Sequence, residues 1–421
     1  MEQNIEITKL PNGLTVITDT VPTVATASLG FWLGVGARHE PADANGVAHI
    51  VEHMLFKGTP TRTTQQLATE LEGVGAIMNA HTGKEETAYY CKLLAEDVEK
   101  GIDIYSDMFV RATLPDDELV RERSVIVQEL NQVYDDPEHY LYDMFNRELY
   151  KGQLYGRPTI GNADEIAVMA REKLTRYIGS NYHTGNTVFV CAGNVNHKQV
   201  AEWVEKYTQG IKAGAPATFE KPTFTPAQVT LAREVEQVHL MLTMPCADQR
   251  SPDYHATNVL SQLLGGGMSS RLFTEVREKR GLVYHTSSFT VQYGDTGTFN
   301  LYASATPDKA SEVWRVFADE MAKLGATLTD DEIARAKMQL KAQLLMGLES
   351  TSRRTDNIGG QWHTFGRIIP VEETLAKMNA VTKQDLVRIA EQLRKGPVGT
   401  GMCGPVAQVK DMPDVVARMA A

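Results

Sequence analysis

Thr187-Val188-Phe189-Val190-Cys191-Ala192-Gly193 reads as a buried strand, a run of β-branched and aromatic residues without a charge that ends in glycine. Its ending, Val190-Cys191-Ala192-Gly193, is echoed near the other end of the chain by Met402-Cys403-Gly404. A second echo links Thr69-Glu70-Leu71, before the turn Gly73-Val74-Gly75, to Thr274-Glu275-Val276, before Arg280-Gly281. A spacing of roughly 210 residues is far too long for a solenoid repeat and fits a duplicated domain. Working outward, the first half has further strand signals at 27–35 and 87–94, separated by longer stretches of helical period. The second half repeats that order, with a strand near 238–244, helical stretches at 254–264 and 271–279, a strand at 298–305 and a helix after Pro307. The mixture means α+β or α/β. Between the copies, Gly210, Gly214, Pro216, Pro222 and Pro226 interrupt a segment with no apolar period, the composition of an exposed linker. The expected organisation is a first domain at 1–210, a linker at 211–228 and a second domain at 229–421.

Composition narrows the function. The 421 residues are 42% apolar and 23% charged, ordinary globular usage that excludes collagenous and disordered classes. Lys+Arg 42 against Asp+Glu 53 gives a net charge of -11, the wrong sign for a protein that binds nucleic acid or an anionic membrane. The four cysteines, Cys91, Cys191, Cys246 and Cys403, contain no CxxC pair, which argues against a disulfide framework or a thiolate zinc site. The start of the chain carries neither a basic nor an apolar leader pattern, and no apolar run is long enough to span a membrane. A soluble, cytoplasmic protein is expected.

The chemistry lies in His49-Ile50-Val51-Glu52-His53. Val47, Ile50, Val51, Met54 and Leu55 recur at helical spacing and fall on one face, while His49, Glu52 and His53 fall on the other. Two imidazoles one turn apart on one helix face suit a Zn²⁺ ion, and Glu52 lies beside them, placed to act on water at the metal. Chance would supply an HxxEH only about 0.02 times per chain of this composition. Further on, the run 119–133 reads as a helix with Asp116 as its N-cap, and Glu122 and Glu129, seven residues apart, share a stripe with Leu119, Val125, Ile126 and Val133. Carboxylates on an apolar stripe are costly unless a cation or donors meet them. Glu129 suits a third metal ligand, and Glu122 suits an acceptor that orients a ligand histidine.

His49, Glu52 and His53, with Glu122 and Glu129 about 75 residues on, resemble the inverzincins of the pitrilysin/insulysin family. The likeness is to the short members that include the mitochondrial processing peptidase β subunit and its bacterial counterparts, and it spans nearly the whole chain. It implies an α+β fold of two homologous α/β sandwich domains, one Zn²⁺ per chain and a zinc endopeptidase whose chamber forms from two copies. Asn79-Ala80-His81-Thr82 is similar to the family's Asn-Ala-x-Thr edge strand, so Asn79 and Ala80 would bind substrate as an added strand. Arg277 and Tyr284 resemble the Arg/Tyr pair with which the family's metal-free domain holds substrate and transition state. Presequence processing by the β-type subunit uses two acidic positions after the third ligand, where this chain has His139 and Asp143. Asp143 is thus a substrate-binding candidate, and general turnover of extended, basic peptides is as well supported as an arginine-directed rule. A non-catalytic scaffold subunit related to processing-peptidase-like core proteins is the rival reading.

Gly265-Gly266-Gly267 lacks a following GKS or GKT, and Gly83-Lys84 lacks the earlier glycine of a phosphate loop. His81 and His285 stand alone. The second half has Asn258-Val259-Leu260-Ser261-Gln262-Leu263-Leu264 where the first has its histidines, hence the expectation of one metal per chain.

Overall fold

In a computed structural model that describes residues 3–420, the apolar runs pair as two sheets. The first contains β1 (Ile5–Lys9), β2 (Thr15–Thr20), β3 (Thr26–Leu33), β4 (Ile77–Thr82), β5 (Thr87–Leu94) and β6 (Thr187–Gly193), ordered β1-β2-β6-β3-β5-β4. The second contains β7 (Gln228–Ala232), β8 (Val238–Pro245), β9 (Val283–Gln292), β10 (Gly297–Ala305) and β11 (Gly399–Gly404), ordered β7-β11-β8-β10-β9. Without β1 the two orders coincide strand for strand, and β6 corresponds to β11. In each sheet the pair containing that strand and the sheet's early strand is parallel, β2 with β6 and β7 with β11, and the other pairs are antiparallel. The shorter echo has a physical counterpart too. Gly75 and Gly281 adopt φ of 64 and 59 between a helical segment and β4 or β9, a left-handed conformation that glycine takes without a Cβ penalty. The mixed fold of two homologous halves is the one expected.

The chain forms two compact units that interleave these halves. One comprises the chain up to Gln132, Arg157–Glu220 and Leu345–Pro370; the other comprises Val133–Gly156, Lys221–Leu344 and the chain from Val371 onward. Each unit therefore takes one helix from the opposite half of the sequence. A sheet buries both faces only if both are covered. In the first unit, the helix Thr351–Phe365 covers the face of Ile17, Trp32, Ala88, Val188 and Val190 with Ile358 and Trp362. It is held by the buried pair Arg354–Asp19 at 2.5 Å and by Ser28, whose hydroxyl lies 2.9 Å from that of Thr351. A Cβ on Gly359 would stand 2.3 Å from the Trp32 ring, so glycine permits the close approach. In the second unit, Leu141, Phe145 and Leu149 of the helix Pro137–Leu149 pack with Val229, Met241, Tyr302 and Cys403. The opposite face of each sheet carries the larger core, centred on Phe31, Tyr89 and Phe189 in one unit and on Leu242, Phe299 and Trp314 in the other.

The segment 211–227 contains no helix or strand. Arg38 is buried with its guanidinium over the Phe219 ring at 3.9 Å, which ties part of that segment to the first unit. Among the described residues no helix is long and apolar enough to cross a membrane.

Candidate metal centre

The helix Val47–Leu55 forms where the apolar spacing places it and buries Val47, Ile50, Val51, Met54 and Leu55. Facing it is the helix Asp116–Asp135. Asp116 lies inside its first turn rather than capping it, and with Asp117 and Glu118 it sets three carboxylates near the positive end of the helix dipole. The buried stripe is Leu119, Glu122, Ile126 and Leu130. Val125, expected on that stripe, is 46% exposed because it projects to the stripe's edge.

The two helices bring together the nitrogen and oxygen atoms of His49, His53 and Glu129, all within 4.8 Å of one another. Among the described residues this is the one such group of three or more. His49 Nε2 lies 3.8 Å from one Glu129 oxygen and His53 Nε2 lies 3.5 Å from the other. Tetrahedral zinc bonds to nitrogen and oxygen at about 2.0–2.2 Å, which separates ligand atoms by roughly 3.4 Å. The set therefore fits zinc in donor type and nearly in spacing. His49 gives a second sign. It is buried with Nε2, the nitrogen on the Glu129 side, free of any closer protein partner than that carboxylate at 3.8 Å.

His53 has its other nitrogen fixed. Nδ1 donates to Glu122 Oε2 at 2.9 Å, leaving Nε2 directed at Glu129. Glu122 is buried, and its second oxygen meets Lys57 Nζ at 2.6 Å. Although burial alone would raise the Glu122 carboxyl, His53 and Lys57 hold it below the usual range. Burial, followed by the nearby charge of His53, lowers His49 to about 4. For His53, burial acts downward, but hydrogen bonds to Glu122 and Glu129 raise it to about 9. Without metal the site thus holds one neutral and one protonated imidazole at pH 7.

Glu52 is the remaining acid on this helix face. Thr82 Oγ1, at the end of β4, donates to its Oε2. Burial raises the Glu52 carboxyl, with the Thr82 bond and the His53 charge opposing. A carboxylate whose basicity is raised by burial is a better acceptor for a proton from water. β4 is the edge strand of its sheet. Asn79 is exposed on it, and Asn79 Oδ1 accepts the Ala80 N–H at 2.9 Å, a side-chain cap on an otherwise open edge.

Residues 15–163 match the family description Insulinase (Peptidase family M16), and residues 169–340 match Peptidase M16 inactive domain. A protein of Rickettsia felis named as an uncharacterized zinc protease is 32% identical over 406 residues, covering 96% of this chain and 98% of that one. The chain belongs to peptidase family M16. Two solved structures share its fold at a TM-score of 0.87: a Helicobacter pylori protease, 23% identical over 95% of this chain and 99% of that one, and a Pseudomonas fluorescens peptidase M16 inactive domain, 21% identical over 97% and 100%.

Within this M16 chain, Arg277, Tyr284 and Asp143 belong to the second compact unit. Arg277 sits on the π-helix Phe273–Glu278 with its guanidinium 4.7 Å from the Phe273 ring centre and 4.9 Å from that of Tyr284. Tyr284 is 77% exposed. The stacking holds the cation beside a phenol open to solvent. Asp143 lies on the helix Pro137–Leu149.

No pattern in the sequence marks Lys57 or Thr82 as part of the metal centre. Thr82 was visible as the last residue of Asn-Ala-x-Thr, whose hydroxyl nothing in the pattern tied to Glu52. Lys57 follows His53 by one helical turn, but the helix ends at Leu55, so periodicity could not place it.

Proposed function

We propose that this chain is a zinc-dependent endopeptidase acting on extended peptides, and the observation that carries the reading is the convergence of His49, His53 and Glu129 beside Glu52. His49, His53 and Glu129 would hold the ion, with Glu122 and Lys57 orienting His53. When bound, zinc supplies Lewis-acid polarisation of the scissile carbonyl and acidifies water. Glu52 takes a proton from the attacking water as its oxygen bonds to the carbonyl carbon, then passes that proton to the amide nitrogen as the C–N bond breaks, so water and peptide become acid and amine. Thr82 keeps one Glu52 oxygen occupied and leaves the other to work. Asn79 and Ala80 would receive the substrate's main chain along β4, the Asn79 side chain swinging away from the Ala80 N–H to admit it. Arg277 and Tyr284 would donate to the developing oxyanion.

A chain with two such homologous halves can bring Arg277 and Tyr284 to a metal site by pairing with a second copy, and a two-fold homodimer is the simplest closed assembly. Mixing Glu52→Gln protein with an Arg277→Ala/Tyr284→Phe protein would then restore activity through a hybrid dimer with one intact site. Subunit exchange confirmed by tagging, with no activity regained, would refute this arrangement. The net charge of -11 favours basic peptides through long-range attraction. The scaffold alternative draws on the match of residues 169–340 to a domain described as inactive. Metal analysis together with hydrolysis of an unstructured peptide mixture separates the readings: one zinc per chain with cleavage supports the peptidase, and tight peptide binding without cleavage supports the scaffold.

A further inference from the structure

The metal-bearing helix has no cap of its own. Its N-cap residue is Gly46, at φ 90, which offers no side chain to the first amides. Those amides are met from a distance by Glu40, which is 1% exposed and follows the short 3-10 turn Ala37–His39. Glu40 Oε1 accepts the Ala48 N–H at 2.9 Å, and Oε2 accepts the Gly46 N–H and the Asn45 side-chain amide, each also at 2.9 Å. Asn45 is fastened in turn, its N–H to Glu165 Oε2 and its amide to the Pro158 carbonyl, both at 3.1 Å. Ala48 directly precedes His49, so the carboxylate grips the turn that carries the first imidazole. Gly46 also sits hard against Gly161, where a Cβ on Gly46 would stand 3.0 Å from the Gly161 Cα. Nothing else of comparable charge reaches these amides among the described hydrogen bonds.

We propose that Glu40 is a positioning residue for the metal centre: its buried carboxylate caps the helix Val47–Leu55 and fixes the angle and depth at which His49, and through the same helix Glu52 and His53, face Glu129. The inference rests on reading that cluster as a zinc site. The physical basis is that a nine-residue helix is too short to hold its own register, and its first turn follows whatever holds its amides. A full negative charge on three converging donors, at the positive end of the helix dipole, is the strongest hold available there. A glutamine in its place keeps one acceptor oxygen and turns an NH₂ group toward N–H donors.

The test compares Glu40→Gln and Glu40→Asp with wild type and with Asp19→Asn. The last breaks the buried Arg354 pair in the same compact unit, away from the metal helix. Zinc affinity is measured by chelator competition at pH 8, above the value of about 7 to which burial raises Glu40, and ligand geometry by the visible absorption of the Co²⁺-substituted protein. Glu40→Gln is expected to weaken zinc roughly tenfold or more, in the range seen when support behind metal ligands is removed, and to alter the Co²⁺ bands. Glu40→Asp, too short to reach all three donors, should fall between, and Asp19→Asn should lower the melting temperature while leaving zinc affinity and the Co²⁺ spectrum unchanged. The proposal is overturned if Glu40→Gln matches wild type in both metal measurements, or if Asp19→Asn perturbs them equally, since the effect is then general destabilisation. A wild-type protein that takes up no zinc would overturn the zinc reading itself, a result distinct from either.

Discussion

The two compact units set the same strand order beneath helices of different chemistry. In the first, the helix Val47–Leu55 lies between β3 and β4 in sequence; in the second, the helix Tyr254–Gly265 lies between β8 and β9. Both bury an apolar stripe. On the second helix, the polar groups are used up locally: Asn258 donates to the Tyr254 carbonyl and to Gln292, Ser261 meets Ser288 at 3.1 Å, and Gln262 donates to the Gly266 carbonyl and Gln339. On the first helix, His49 Nδ1 has no partner, and His49 Nε2 comes no nearer than 3.8 Å to the Glu129 carboxylate. The same central strand order thus supports a helix whose polar groups bond to neighbouring side chains and carbonyls in one copy, and a helix whose two histidines converge on Glu129 in the other. The difference lies in the residues that face away from the core, where substitution costs little stability and changes chemistry completely.

The sharpest way to break the contrast is at Glu52. Replacing it with glutamine should lower kcat by about 10²–10⁴-fold, the usual worth of a general base, while metal analysis still finds zinc. Near-normal turnover in Glu52→Gln protein that retains its metal would remove Glu52 from the chemistry. Next is the ligand set: Glu129→Gln, which exchanges a charged ligand for a neutral one, should weaken zinc more than Glu122→Gln, for which about 10–100-fold is expected. The reverse ranking in a chelator titration would mean that the two carboxylates have been assigned to each other's roles.

A smaller effect concerns protons. Zinc needs a neutral imidazole nitrogen, and at pH 7 His53 carries a proton with its pKa raised to about 9, whereas His49, lowered to about 4, does not. Binding at pH 7 should therefore release about one proton, and zinc affinity should fall about tenfold per pH step downward between those two values. Calorimetry in buffers of different ionisation enthalpy counts the proton directly; a count near zero would show that His53 is already neutral in the metal-free protein. The smallest effect is expected in the second unit. His255 is a lone, partly buried histidine on the helix Tyr254–Gly265, and His255→Ala should leave zinc content within the error of the measurement. A loss of metal there would dissolve the distinction between the two copies.

Much of the site was legible because it is written on single helices. The spacing of His49, Glu52 and His53 follows from 3.6 residues per turn, and so does the pairing of Glu122 with Glu129. That the two helices face each other could only be inferred from the cost of burying carboxylates without partners. Val125 shows the limit of the method: its angle on the helix is known from the sequence, but whether that angle is covered depends on a neighbour, and here it is not.

The strands β3, β5, β6, β8 and β10 are likewise legible as local β-branched and aromatic runs, and the Cys191-Ala192-Gly193 and Cys403-Gly404 endings of β6 and β11 mark the repeat, whereas β1, β2, β7 and β9 emerge only in the structure. The sequence by itself therefore determined the central strands, their repetition and the metal-binding vocabulary. Only the tertiary structure decided that the helix Thr351–Phe365 covers the first sheet and Pro137–Leu149 the second. An apolar stripe states that it will be buried and not against which sheet, and both helices carry stripes of similar kind. The choice is made by side chains distant in sequence, such as Asp19 meeting Arg354 and Gly401 making room for Phe145. Lys57, Thr82 and Glu40 belong to the same class. Each acts on the metal helix through contacts whose partners are set by three-dimensional proximity, and no periodicity encodes that.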